Sequence, residues 1–399
     1  MKVLVVTDRF FPEEFIINDL VQAWAQGGMD VEVLTQVPSY PIGKIPSGYK
    51  NTILSSSRWG TIKVIRFRTV TGYRESLFLK ILNYANFALF ASVAALWIGR
   101  KYDRIFVYQA GPLTQAIPAV IAGKLYRKDV TIWPQDVWPD SVYAYGFKRT
   151  RLLRFILDRI VSFIYKNCNR IFVSCDGFRD KISRYAPQRP IYHFPNWPVV
   201  TPCGNGEGDR KILLDKFNFT FAGNVGKMQN LDNVIRGFGM ASAENDNIQL
   251  NIVGDGSHLD HLKALVEQEQ IKNVVFWGRK KQTEMPAFFN ASDVMVISLN
   301  DDPVFAITVP VKFQAYLAFR KPIYCVMNGE VRKIVERSNV GLCANPNELS
   351  DIKSGFLKFY AFGREGLRPF AAGANDLLNS IYNRETIIES MRALVLEGR

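Results

Sequence analysis

The sequence predicts an α/β protein built from two doubly wound domains, and three observations carry that prediction. Short apolar runs, of the kind that form strands covered on both faces, alternate with amphipathic helical segments along the chain. The alternation breaks at the proline- and glycine-rich stretch PNWPVVTPCGNGEGDR and then restarts. At 399 residues the chain also exceeds what one core ordinarily holds.

Residues 2–7 (KVLVVT) read as an opening parallel strand, followed by the loop DRFFPEEF and a helix over 17–26 with Leu20, Val21 and Trp24 on one face. Gly27 and Gly28 end that helix. A second strand spans 30–35, and the loop QVPSYPIGKIPSGYK after it is long enough to suggest a function of its own. Further strands are expected at 62–67, 104–108, 130–133, 170–174 and 191–194, with helices over 77–98, 112–126, 149–166 and 177–185. In the second half, strands at 217–221, 249–253, 274–277, 294–299 and 323–326 alternate with helices after residue 230, over 259–269, over 284–291, from residue 310 and over 331–336. The tail, 384–397, reads as one more amphipathic helix. The predicted division is 1–198, 199–375 and a terminal segment 376–399.

Five cysteines without a CxxC pair fit a reducing compartment better than a disulfide framework. No signal peptide is expected, because the chain runs from Met1-Lys2 straight into a strand. The apolar stretch 77–98 is long enough to span a bilayer, but Lys80, Asn83 and Asn86 interrupt it, and a long buried helix is the expected reading. Charge is distributed unevenly: residues 1–198 hold 27 Lys and Arg against 14 Asp and Glu, whereas the remainder holds 23 of each. With no helix-turn-helix pattern and no aromatic-rich RNA motif, this bias points to an anionic membrane surface rather than nucleic acid. The helix KRTRLLRFILDRIVSFIYK, with Leu152, Phe155, Ile156 and Arg159 at helical spacing and a cationic face, is the expected docking element.

The stretch SLNDDPVFAITVPVKFQAYLAFRKPIYCV concentrates the candidate chemistry. A strand leads through a polar loop into a helix begun by Pro310, expected as its first residue, with Lys312 on the first turn, where unpaired N–H groups suit a phosphate. Gly223-Asn224-Val225-Gly226 followed by Lys227 offers either a second phosphate-approaching loop or a plain strand-to-helix turn. Gly254-Asp255-Gly256 is expected to make only a turn, while Gly278-Arg279, at a strand end, could hold a nucleobase through backbone groups. Asp136, after the strand TIW, is a candidate acid/base group or sugar-hydroxyl anchor, or equally a cap of the next segment. Of the three histidines, His258 and His261 are HxxH-spaced, but no further ligand joins them in sequence, so no metal site is expected. The absence of GxSxG, GxxxxGK[ST] and GxGxxG motifs argues against serine-hydrolase, ATP and hydride chemistry.

Taken in order, MKVLVVTDRFFPEE, VPSYPIGKIPSGYK, QDVWPDS, VSCDGFRDKI, FPNW, FAGNVGKMQNLDNVI, IVGDGSHLDHL, VVFWGRKKQTEMPAFFNASDV and VPVKFQAYLAFRKPI resemble the family 4 retaining glycosyltransferases, in the branch that builds O-antigen, colanic-acid-like and capsular polysaccharides. The resemblance covers nearly the whole chain. It implies a GT-B fold, in which two Rossmann-like domains face each other across a cleft and the last helix crosses back to the first domain. The first domain would take a lipid-linked saccharide acceptor and the second a nucleotide-sugar such as a UDP-sugar, without a metal or other cofactor, in a cytoplasmic protein held peripherally at the inner membrane. Carried over by motif, Gly226, Lys227 and Lys312 would face the diphosphate, Gly278 and Arg279 the base, and Asp136 the sugar or acceptor. Phe11, Glu13 and Glu14 would close on the donor phosphates. Two departures stand out. Ile307 and Ala315 occupy the places of the Glu-x7-Glu pair that many members carry, and Asn224 with Gln229 or Asn230 stands near the usual Arg and Lys. Pro310-Val311-Lys312 matches the PxK pattern that replaces the glutamates in this branch. An epimerase of the same fold would need more carboxylates and histidines than the first half offers, and a non-catalytic nucleotide-sugar-binding subunit is the other alternative.

Overall fold

A computed structural model describes residues 1–73, 76–144, 147–199 and 216–397. The expected linker PNWPVVTPCGNGEGDR, with Cys203, lies mostly outside these residues. The chain divides into two compact units, Met1–Pro195 with Glu385–Arg399, and Asn196–Arg384.

Unit 1 is an eight-stranded sheet in the order β3-β4-β2-β1-β5-β6-β7-β8. Its strands are β1 (Lys2–Val6), β2 (Asp30–Gln36), β3 (Leu54–Trp59), β4 (Ile62–Phe67), β5 (Arg104–Gln109), β6 (Asp129–Pro134), β7 (Arg170–Val173) and β8 (Ile191–His193). All pair in parallel except β3, which turns back on β4 as an antiparallel edge. That strand was not legible in sequence, because LSSSRW is exposed nearly throughout and carries no apolar alternation. Strand order reverses beside β1: the chain steps from β1 to β2 on one side and resumes at β5 on the other. Right-handed crossovers then put helix Ile16–Gln26 on one face and helices Leu77–Ile98, Ile117–Tyr126 and Arg151–Lys166 on the opposite face.

Two helices of that second face differ from expectation. Leu77–Ile98 is not a buried helix: only a narrow stripe, Asn83, Phe87, Ala91 and Ala95, is covered. Phe78, Leu82, Leu89, Val93 and Trp97, spaced by four or seven residues, form a row open to solvent. The polar residues that interrupt the stretch fasten it to the sheet edge. Asn83 Oδ1 accepts from Val70 N at 3.1 Å, and Asn86 Nδ2 donates to Arg68 O at 2.8 Å. Helix Arg151–Lys166, capped by Thr150, turns Leu157, Val161, Ile164 and Tyr165 to the core, so Leu152, Phe155 and Ile156 make a second apolar face that stays exposed.

Unit 2 is a six-stranded, all-parallel sheet in the order β11-β10-β9-β12-β13-β14. Its strands are β9 (Phe217–Ala222), β10 (Ile248–Val253), β11 (Val274–Gly278), β12 (Val294–Ser298), β13 (Ile323–Val326) and β14 (Gly341–Cys343). Here the order reverses beside β9. Helix Leu349–Gly366, unassigned in sequence, drives Phe356 and Phe359 against Phe219 and Tyr324 in edge-to-face contacts, which closes the core over β9 and β13.

Residues 376–384, expected in the returning tail, belong to unit 2. Helix Arg368–Asn379 buries Phe370, Ala374 and Leu377, and the Tyr382 ring packs on Phe313. Helix Arg384–Leu396 lies in unit 1 almost entirely: Trp24 Nε1 donates to Ile388 O at 3.3 Å, and Arg392 donates to Gly27 O at 2.8 Å. Ile387, Ile388, Met391 and Val395 supply its apolar face. Truncation after Arg384 uncovers Trp24 and this face, so the melting temperature falls by several degrees in thermal denaturation; an unchanged transition contradicts a stabilising role for the tail.

Candidate functional site

In open parallel sheets, ligands bind at the carboxyl ends of strands beside the point where strand order reverses. Unit 2 places its candidate residues there. β9 runs into Gly223, then the turn Lys227–Gln229, then helix Leu231–Glu244; β12 runs into Leu299 and Asn300 on the other side of the reversal. Asn300 N donates to Met228 O at 3.0 Å and its side chain to Lys227 O at 3.2 Å, while Ser298 Oγ donates to Gln229 O at 2.5 Å. The two strand ends are thereby stitched together.

Helix Val311–Ala318 stands over the junction. Pro310 is its N-cap in extended conformation, one position before the first helical residue and so not that residue as expected; its carbonyl accepts from Phe313 N at 2.9 Å. Tyr316 both accepts from Ala222 N and donates to Ala222 O, pinning the helix to the end of β9. One turn earlier, Lys312 points to the same place. Its Nζ donates to Gln229 Oε1 at 2.7 Å and lies 3.8 Å from the centroid of the Phe221 ring. The residue keeps a solvent-facing edge, but its ammonium is packed away from water, and burial pushes its pKa down to about 7.

The glycines permit this crowding. Gly223 adopts φ +137°, and a Cβ there would approach Lys312 Nζ to 3.3 Å. Gly254, at φ +145°, abuts Gly223 so closely that a Cβ would fall 1.8 Å from the Gly223 carbonyl oxygen. Gly254-Asp255-Gly256 is therefore more than a turn. Backbone bonds tie the three loop ends side by side: Gly223 N to Val253 O, Val225 N to Asp255 O and Gly254 N to Gly278 O, at 2.9–3.0 Å. Asn224 and Lys227 are exposed at the rim, and Gly226 is buried, its carbonyl capping Gln229 N. Gly278 has φ +65° and continues into exposed Arg279, beside a wall formed by Trp277 and Phe288. Ile307 and Ala315 supply no carboxylate.

Unit 1 builds a second cluster at its own reversal. Asp8 follows β1, Gly111 follows β5 and Asp136 follows β6. Gln109 Nε2 donates to Asp136 Oδ1 and to Gly111 O, both at 2.6 Å. Burial pushes the Asp136 carboxyl up to about 7, opposed by the Gln109 bond and reinforced by Asp8. Asp8 is itself raised by burial against the pull of Arg9, 3.5 Å away, and its Oδ1 has no partner among the described residues. Arg9 lies under the Tyr40 ring at 4.5 Å. Sequence reading found Asp136 but not Asp8, Arg9 or Gln109; the available signal was their position immediately after, or at the end of, a strand. In the loop before the first helix, Phe11 stacks on Trp59, and Glu14 is exposed. The buried Glu13 carboxylate accepts from Ser39 N at 2.8 Å and Tyr40 N at 2.7 Å, which fixes the 37–49 loop.

Residues 208–362 match the model of the family described as Glycosyl transferases group 1. WbjE of Pseudomonas aeruginosa, named as a glycosyltransferase, is 25% identical over 226 residues, covering 53% of this chain and 55% of WbjE; the chain thus matches about half the length of that relative. WcaI of Escherichia coli (strain K12), whose name assigns it as a glycosyl transferase to colanic acid biosynthesis, is 21% identical over 74% of this chain and 76% of its own. Among solved structures, sucrose-phosphate synthase from Thermosynechococcus elongatus superposes with TM-score 0.76 at 14% identity over 98% of each chain. Anabaena Alr3699/HepE in complex with UDP gives 0.69 at 12%, also over 98% of each. The fold is GT-B: two Rossmann-like α/β units with parallel sheets.

The depressed Lys312 pKa carries a sign. Its folded value lies below the ordinary 10.5, so between about 7 and 10.5 the unfolded chain binds more protons and stability rises with pH through that window. Below pH 7 the folded protein bears the whole desolvation cost. Lys312→Met keeps the stem and removes the charge, so its ligand-free form melts higher than wild type at pH 6, and the difference shrinks by pH 9. A variant that melts lower at pH 6 contradicts the placement of the ammonium.

Proposed function

We propose that this chain is a retaining glycosyltransferase that moves a sugar from a nucleoside diphosphate donor of the UDP-sugar type to a lipid-linked saccharide in bacterial surface polysaccharide assembly. The observation that carries the reading is Lys312, a cation held at the strand-order reversal of unit 2 among glycine loops, without an acidic partner among the described residues. A diphosphate supplies the missing counter-charge. The match to Glycosyl transferases group 1 over 208–362 and the UDP held by HepE support the same assignment.

In the reaction, the anomeric C–O bond to the diphosphate breaks, and a bond forms from the same face of the sugar to the acceptor oxygen. Charge develops on the departing diphosphate, where Lys312, Lys227 and loop N–H groups stabilise it. These groups neutralise the leaving group without a metal ion. Asp136, whose pKa sits near neutrality, takes the proton that the acceptor hydroxyl loses as its oxygen bonds the sugar, with Gln109 orienting the carboxylate.

Unit 1 supports a membrane-borne acceptor at the cytoplasmic face of the inner membrane. The open row Phe78, Leu82, Leu89, Val93 and Trp97 and the row Leu152, Phe155 and Ile156 belong to helices that pack on the same turn, 113–116. A cavity of about 360 Å³ at the start of the second helix is lined by Arg149, Arg151 and Arg184, together with the ion pairs Arg154–Asp158 and Lys181–Asp140. Apolar rows beside clustered cations match an anionic phospholipid surface and the diphosphate of a lipid carrier.

Labelled nucleotide-sugars incubated with lipid-diphosphate saccharides test the reading: acceptor-dependent transfer supports it, whereas acceptor-free isomerisation or binding alone overturns it. Asp136→Asn lowers kcat about 10²–10⁴-fold with little change in UDP affinity; full activity removes Asp136 from the chemistry. The double variant Trp97→Ser, Phe155→Ser loses sedimentation with phosphatidylglycerol vesicles, and raising salt weakens the wild type. Vesicle binding unchanged by both treatments contradicts the docking surface.

A further inference from the structure

Beside the glycine loops, the fold gathers two of the chain's three histidines onto one carboxylate. His258 Nε2 lies 2.8 Å from Asp232 Oδ2, and His261 Nε2 lies 2.8 Å from Asp232 Oδ1. The ligand atoms of the three residues fall within 4.8 Å of one another, and the imidazole rings stack with centroids 4.4 Å apart. In sequence, His258 and His261 have only HxxH spacing; folding supplies Asp232 from 26 residues upstream.

Each residue is held in place by its element. Asp232 sits on the first turn of helix Leu231–Glu244, and His258 is the N-cap of helix Leu259–Gln268, with His261 one turn on. His258 N also donates to Val225 O at 3.1 Å, so the pair rests directly against the loop that follows β9. Two Nε2 atoms aimed at one carboxylate leave each ring's polar edge turned to a common centre. His261 is exposed, while His258 and Asp232 are half-buried, which leaves the group open to an ion from solvent.

We propose that Asp232, His258 and His261 bind one borderline divalent cation of the zinc type. Two neutral imidazoles and a carboxylate are a three-ligand set for such an ion, with a fourth position for water, whereas magnesium and calcium favour all-oxygen shells. The bound ion joins the first turns of two helices beside the 223–226 loop and acts as a clip on that part of unit 2. The proposal is independent of the sugar-transfer reading, because it concerns metal affinity and thermal stability only.

Zn²⁺ titration of the full-length protein against a chromophoric chelator, by competition, is the test. One ion per chain is expected, undisplaced by excess Mg²⁺. His261→Ala, at an exposed position that leaves the fold intact, weakens binding at least about tenfold. Zn²⁺ raises the melting temperature of wild type but not of His261→Ala or Asp232→Asn, while His193→Ala behaves as wild type. Absent Zn²⁺ binding, or equal binding by wild type and His261→Ala, overturns the site, since the ion would then be held elsewhere, as by a cysteine.

Discussion

The structure of unit 2 turns on one unfavourable placement: the Lys312 ammonium is packed against the Phe221 ring and hydrogen-bonded to Gln229, without a carboxylate to balance it among the described residues. Removing a cation from water costs stability unless something anionic is supplied. The ring face and the amide oxygen recover part of the loss. What remains is a cost of the ligand-free protein, and under the proposed function a bound diphosphate would offset it.

The surrounding backbone exists in service of that placement. Gly254 can lie beside Gly223 only because it carries no Cβ, and Gly223, at φ +137°, holds a backbone conformation that favours glycine. Tyr316 holds the helix at the correct height, since its hydroxyl occupies both polar groups of Ala222. Asn300 and Ser298 hold the opposite wall. Ile307 and Ala315 supply no carboxylate, so among the described residues Lys312 stands without an acidic anchor, and burial weighs against its charge. Unit 1 repeats the layout in acidic form, with the Asp8 and Asp136 carboxyls both raised by burial at their own strand reversal.

Much of this was legible in sequence because parallel strands buried on both faces leave continuous apolar runs, and strand ends can be read from where the runs stop. Lys312, Gly226 and Asp136 all lie in segments that follow such runs. Three kinds of feature were not legible. The edge strand Leu54–Trp59 is exposed and polar, so periodicity had nothing to register. The exposed apolar face of Leu77–Ile98 is not legible, because hydropathy does not distinguish a helix face covered by protein from one left open. The grouping of Asp232 with two histidines depends on the crossing of helices 26 residues apart, which no local spacing encodes. Glu13 shows the converse: a carboxylate in a promising loop is spent on backbone N–H groups.

Under the proposed function, the buried Lys312 amine is the counter-charge of the diphosphate. Calorimetric titration of UDP at pH 8, in buffers of different ionisation enthalpy, tests it most directly. Free Lys312, with a pKa near 7, is then mostly neutral, and a bound diphosphate draws a proton back onto it. Uptake of about one proton per UDP is expected in wild type and none in Lys312→Met, with weaker binding by the variant. Binding without proton uptake, or equal affinity in both proteins, contradicts it.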